Sequence, residues 1–128
     1  MLKSKFISDI LTLLLDGDEE GILAAKQIPF LEESDYEYTG GGVCIGFSTS
    51  KGILDFKVKT KEKLILDGVK IESPELEDGA NCILFFENGI IDFLEIDSRS
   101  GNYPNKELSK YKLIQKWKGS PKKEIVCL

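Results

Sequence analysis

Two hydrophobic periods divide this chain. In the first part, Phe6, Ile10 and Leu13 or Leu14 fall on one stripe with Ile7, Leu11 and Leu15 adjoining, which is helical spacing with a wide apolar face over residues 4–15. Ser4 or Lys3 begins that helix and Asp16-Gly17 supplies its stop. A second short helix is predicted from Asp18 to Gln27. Asp18, Glu19 and Glu20 suit its first turn, where the helix dipole favours acids, and Ile28-Pro29 ends it, although Gly21 inside it is a poor helix former. Phe30 and Leu31 are expected to pack after that break.

From Tyr36 the period becomes two. Tyr36, Tyr38, Val43, Ile45 and Phe47 alternate with polar or small residues around Gly40-Gly41-Gly42, and Ile53 to Val58 reads as the return strand. Leu64-Ile65-Leu66 and Val69 to Glu72 flank Asp67-Gly68 and read as a hairpin with short arms. Pro74 to Asp78 is a turn-rich link, and Ser98 to Asn105 is a loop by composition. Tyr111 to Trp117 and Lys123 to Val126 offer two more strands across Gly119-Ser120-Pro121, with a weak helical alternative from Asn105 to Tyr111.

The centre of the pattern is Gly79 to Asp97. Cys82–Glu87 and Ile90–Ile96 are apolar runs separated by Asn88-Gly89, the pair that best tolerates the positive φ of a two-residue hairpin turn. Uninterrupted pairing sets Phe86 opposite Ile91, Leu84 opposite Phe93 and Cys82 opposite Glu95. One face then holds Cys82, Leu84, Phe86, Ile91 and Phe93, with Glu95 at its far end; the other holds Ile83, Phe85, Glu87, Ile90, Asp92, Leu94 and Ile96. The first face requires cover, and the second, being mixed, is expected to receive partial cover from a helix or the tail. Helices first and strands after give an α+β domain: an N-terminal helix pair packed on a mostly antiparallel, curved sheet of five to seven strands, with the central hairpin at 82–96.

Length fits one domain over residues 1–128. Ser8, Asp9 and Thr12 interrupt the N-terminal apolar run, and acids rather than a cleavage site follow it, so an amphipathic helix and a cytoplasmic location are expected. No run approaches the 18 or more apolar residues of a membrane helix. Cys44, Cys82 and Cys127 are odd in number and lack a CxxC, which fits a reducing compartment. Histidine is absent, which removes the commonest general base and metal ligand and lowers the expectation of hydrolase or zinc chemistry. Arg99 is the sole arginine, so a bidentate phosphate clamp is disfavoured.

Charge is segregated along the chain. Residues 71–97 hold eight acids and no base, while residues 98–128 hold eight bases and two acids, within a net charge of −5. The acid block suggests a face for a basic partner; a net negative chain without an arginine cluster argues against nucleic acid. Candidate contact residues are Glu72, Glu75, Glu77, Asp78, Asp92 and Asp97. The bland reading of these acids is a solvated surface.

Other motifs carry less. TGGGV lacks the spacing of a phosphate loop and reads as a turn or bulge opening a strand. Asp55-Phe56-Lys57 matches a three-residue nuclease pattern that chance supplies often. Asp92 and Glu95 fall on opposite strand faces in uninterrupted register and so cannot flank one bond. Glu95, continuing the apolar face, sits at the sheet edge or else beside a lysine. No catalytic constellation, cofactor motif or metal-ligand spacing emerges.

The run FFENGIIDFLEIDSRSGNYP resembles a pattern near the end of small uncharacterised bacterial α+β proteins, some of which resemble immunity proteins encoded beside polymorphic toxins. Asp97 stands where that pattern often has an aromatic. The resemblance covers about 20 residues and transfers no catalytic residue. It implies a fold relation; with the acid block and the missing catalytic constellation, it leads to the expectation of a non-catalytic cytosolic protein-binding domain, an immunity protein that occludes a basic toxin domain with an acidic face, as a monomer or homodimer. Two alternatives stay open: a small-ligand or lyase-like pocket beneath the helices, which a deep cavity lined by Tyr36, Tyr38, Asp92 or Glu95 would favour, and an accessory domain that dimerises through an edge strand.

Overall fold

The computed structural model describes all residues except 18, 60–62, 118, 120 and 121, so Asp18 and the Ser120-Pro121 link lie outside the described residues. Helix α1 spans Lys5–Leu14, with Ser4 as its N-cap: the Ile7 N–H donates to Ser4 Oγ at 3.0 Å. Helix α2 (Glu19–Ala24) is shorter than expected. The chain does not stop before Pro29 but tightens into a 3₁₀ helix, Ala25–Phe30, which tolerates a proline that would break an α-helix. Gly21 is required there, because a Cβ would meet the Leu15 carbonyl oxygen at 2.8 Å.

Seven strands follow: β1 (Leu31–Tyr38), β2 (Gly42–Thr49), β3 (Ile65–Glu72), β4 (Ala80–Glu87), β5 (Ile90–Ser98), β6 (Tyr111–Gln115) and β7 (Glu124–Cys127). They form one open antiparallel sheet in the order β1-β2-β5-β4-β3-β6-β7, which puts the β4–β5 hairpin at its middle. The architecture is therefore the α+β arrangement the periodicities predict.

Three local expectations are overturned. Ile53–Phe56 is a 3₁₀ turn and not a strand, because Gly52 at φ +100° turns the chain and only Ile53 and Val58 of this stretch reach the core. Asp67-Gly68 makes no hairpin. The register against β4 steps there from Leu66↔Leu84 to Val69↔Cys82, so the pair is a bulge, with Gly68 at φ +102°, inside one continuous strand. Residues 105–110 form no helix.

The central hairpin turns at Asn88-Gly89, with φ of 51° and 79°. Its register begins as expected, with Phe86 opposite Ile91, and then slips. Phe85 faces Phe93 and Leu84 faces Leu94, leaving Asp92 as the extra residue of a bulge. One added residue exchanges the faces of everything beyond it. Leu94 and Ile96 point into the core at 0% exposure, whereas Phe93 and Glu95 move to the opposite face, correcting the assignment from uninterrupted alternation.

The inner face is built in cross-strand rows. Ile45, Leu94, Leu84 and Leu66 make one; Val43, Ile96, Cys82, Val69 and Gln115 make another. Helix α1 packs on this face over β3 and β6, with Phe6 against Tyr111 at a ring separation of 4.8 Å. Each large side chain enclosed here contributes roughly 1.5–3 kcal/mol of transfer free energy.

Two fully buried glutamines join the layers. Gln115 Nε2 donates to the carbonyls of Leu13 (2.8 Å) and Asp16 (2.9 Å), satisfying acceptors that the end of α1 leaves open. Gln27 donates to the carbonyls of Phe56 and Gly89, both at 2.9 Å, and accepts from the Ile91 N–H at 2.8 Å, which ties both 3₁₀ segments to the hairpin turn.

Candidate functional site

The outer face of the sheet has no helix packed across it among the described residues, contrary to the expectation of partial cover. Two cross-strand rows organise it. The first runs Asp35, Gly46, Phe93, Phe85, Ile65 across β1, β2, β5, β4 and β3; the second runs Glu37, Cys44, Glu95, Ile83. Phe85 and Phe93 stack at 4.5 Å between centroids and stay half-buried, while Ile65 is 48% exposed. An apolar stripe on the middle strands thus abuts carboxylates on β1, β2 and β5.

The Asp92 bulge makes the acid cluster. By rotating Phe93 and Glu95 outward, it sets Glu95 beside Asp97 on one face, opposite Cys44 of β2. Asp92 is the unpaired residue of the bulge, so the uninterrupted alternation that set it on the face opposite Glu95 does not hold there. Glu95 is neither at the sheet edge nor next to a lysine. Its hydrogen bond to Asp97, ahead of its partial burial, raises its pKa, since two neighbouring carboxylates resist ionising together. Among the described residues no lysine or arginine lies within ion-pair distance of Asp35, Glu37, Asp92, Glu95 or Asp97.

The six candidate contact acids separate into groups. Asp92 and Asp97 belong to this face. Glu72 follows on β3, ion-paired with Lys70 at 3.6 Å. Glu77 and Asp78 lie in the turn before β4, around a shallow hollow of about 230 Å³ that Lys70 and Glu72 also line. Glu75 has structural partners: its carboxylate accepts from the N–H groups of Ser109 (2.9 Å) and Lys110 (3.2 Å) and from the Ser109 hydroxyl, and it pairs with Lys106 at 3.5 Å. Those backbone donors hold its pKa below the ordinary carboxylate value. Asp35, Glu37 and Glu95 are not among the six acids that the sequence marks for partner contact. The odd position of Glu95 was their signal, because a slip at Asp92 is what removes it from the apolar face.

Chemistry that makes or breaks bonds finds little here. Burial first, then Glu95, Glu37 and Asp92, push the Cys44 pKa up, and burial alone does so for Cys82, so neither thiol is activated as a nucleophile. Among the described residues no three Cys, Asp or Glu side chains are grouped to hold a metal ion. Tyr36 and Tyr38 stack at 6.3 Å, and Tyr36 donates to Glu107 at 3.2 Å. Described hollows of about 360 Å³ beside Trp117 and about 290 Å³ beside Phe56 are lined by neither tyrosine, nor by Asp92 or Glu95. No helix among the described residues is long and apolar enough to cross a membrane.

Fold and face together define an antiparallel α+β protein in which α1 covers one sheet surface and, among the described residues, no helix packs across the other. No family model matches the chain, and no curated protein or solved structure matches it either.

Proposed function

We propose that this chain is a non-catalytic, cytoplasmic protein-binding domain of the immunity-protein kind, which occludes a basic partner such as a toxin domain with its outer sheet face. One observation carries the reading: an apolar stripe, Ile65, Ile83, Phe85 and Phe93, bordered by five carboxylates that, among the described residues, have no lysine or arginine within ion-pair distance. Protein interfaces combine an apolar centre with a polar rim, and unpaired charge of one sign speeds encounter with a partner of the other. The β1 edge offers poor ground for strand addition between copies, since Glu32, Glu33, Asp35 and Glu37 line it and its register breaks at Ser34.

The test is co-expression with the products of adjacent reading frames, reading co-purification and relief of growth inhibition. The unaltered chain is expected to capture a basic product, and the double variant Asp92→Lys, Asp97→Lys to lose it while keeping its circular dichroism spectrum. Capture that survives the double reversal, or no capture at all, removes the reading.

A further inference from the structure

On this face, β2 presents no side chain at Gly46. The gap lies between Phe93 on one neighbouring strand and Asp35 on the other, in a single cross-strand row. Neighbouring strands are about 4.8 Å apart, so the notch is roughly 10 Å from Cα to Cα across. Beside it, in the next row, are Cys44, itself small, with Glu37 on one side and Glu95 on the other; Asp92 is the bulge residue next to Phe93. A Cβ on Gly46 would contact Ser34 Oγ at 3.5 Å and Asp35 Cβ and Oδ2 at 3.8 Å, so the Asp35 carboxylate borders the same notch.

We propose that this notch seats an arginine side chain of the basic partner, its stem over Gly46 and its guanidinium against Phe93 and among Asp35, Glu37, Asp92 and Glu95. The inference rests on the docking reading above and adds which residue of the partner is the anchor. Shape and charge agree on the occupant. A long cationic side chain buries its methylenes on apolar surface and keeps its charge at the polar margin. Arginine meets the requirement better than lysine, because its planar group stacks on an aromatic face while its fork donates to several carboxylates. An aliphatic anchor would leave the acids unpaired, and an acidic one would be repelled.

Gly46 permits a test that leaves charge untouched. Its φ is not positive and an added Cβ makes only ordinary contacts, so Gly46→Val, a residue favoured in strands, is expected to fold, with Gly46→Ala as the milder variant. The full-length ¹⁵N-labelled chain is titrated with N-acetyl-arginine amide and, separately, with N-acetyl-citrulline amide, the neutral isostere. The arginine probe is expected to shift amides centred on Gly46, Cys44 and Phe93. The citrulline probe is expected to shift none, and Gly46→Val to weaken the arginine effect at least tenfold. Arginine shifts spread evenly over Glu72, Glu77 and Asp78 as well, or left unchanged by Gly46→Val, overturn the anchor. Partner capture lost in Asp92→Lys, Asp97→Lys but retained in Gly46→Val also overturns it while sparing the docking reading. An arginine response at Gly46 with no basic partner captured removes the docking reading and keeps the notch.

Discussion

The inner and outer faces of the sheet are made by alternate residues of the same strands, yet they answer different demands. The inner face is closed by α1, the 3₁₀ segments and the loop bearing Tyr103 and Leu108, and its side chains on the middle strands, Ile45, Leu84, Leu94 and Ile96 among them, are excluded from water. The outer face keeps its aromatics half-buried and collects acids that repel one another, as the raised pKa of Glu95 records. A surface selected only for stability would intersperse lysines there. The contrast teaches that stability is concentrated on one side of the sheet, which leaves the other free to carry an electrostatic load.

The comparison can be broken by substitutions at neighbouring positions. Leu84→Asp and Phe86→Asp place an unpaired charge in the core and are expected to abolish folding, a loss above about 4 kcal/mol. Phe85→Asp, one residue away but facing outward, is expected to cost only the aromatic stack, about 0.5–1.5 kcal/mol. Equal losses in urea denaturation would mean that the outer face is as structural as the inner. Gln27→Leu comes next. It strands the Ile91 N–H and the Phe56 carbonyl, while the Gly89 carbonyl keeps the Val58 N–H, and is expected to cost roughly 3 kcal/mol.

Glu75→Ala should lower the melting temperature by less than Gln27→Leu, by freeing the Ser109 and Lys110 N–H groups. Because the folded carboxyl has the lower pKa, this contribution is present above the ordinary value of 4.5 and is lost as pH falls through the folded one. Glu77→Ala, in an exposed turn, should change stability by less than about 0.5 kcal/mol. An identical response to both substitutions would return Glu75 to the contact surface.

The smallest effect has the opposite sign. Glu95 binds its proton more tightly folded than unfolded, so the folded chain holds more protons as pH rises past 4.5 and stability falls there. Glu95→Gln is therefore expected to stabilise the chain at pH 7, by at most about 0.5 kcal/mol after solvent screening, with no gain at pH 4. Destabilisation at pH 7 would show that the pair is favourable.

Much of this was legible from residue pattern alone. Ser4 and Asp16-Gly17 bracket α1 as expected, and Asn88-Gly89 turns the chain where it should, because capping and positive φ are local demands that particular residues meet. What could not be read was bulge placement. Ile90, Ile91, Phe93, Leu94 and Ile96 supply an apolar residue to either face in either register, so nothing local forces the slip at Asp92. Only burial of Leu94 against Ile45 and Leu84, a contact between three strands, decides it. Asp67-Gly68 fails for a related reason, since glycine with positive φ serves a bulge as readily as a reverse turn. The acids of the outer face were half visible. The charge count located Asp92 and Asp97, but strand pairing was needed to add Asp35 and Glu37 from a segment some sixty residues earlier and to give Glu75 a different role.

The bond from Gln115 to the Leu13 carbonyl spans 102 positions of sequence. Helix α1 leaves the ribosome about a hundred residues before β6, the strand that completes its seat. At 5–20 residues per second the greasy N-terminal helix waits on the order of ten seconds for that seat. Its docking is thereby coupled to the synthesis of β6: a nascent chain truncated before Tyr111 should be a chaperone client and a protease substrate, and the same polypeptide extended past Gln115 should become resistant to both.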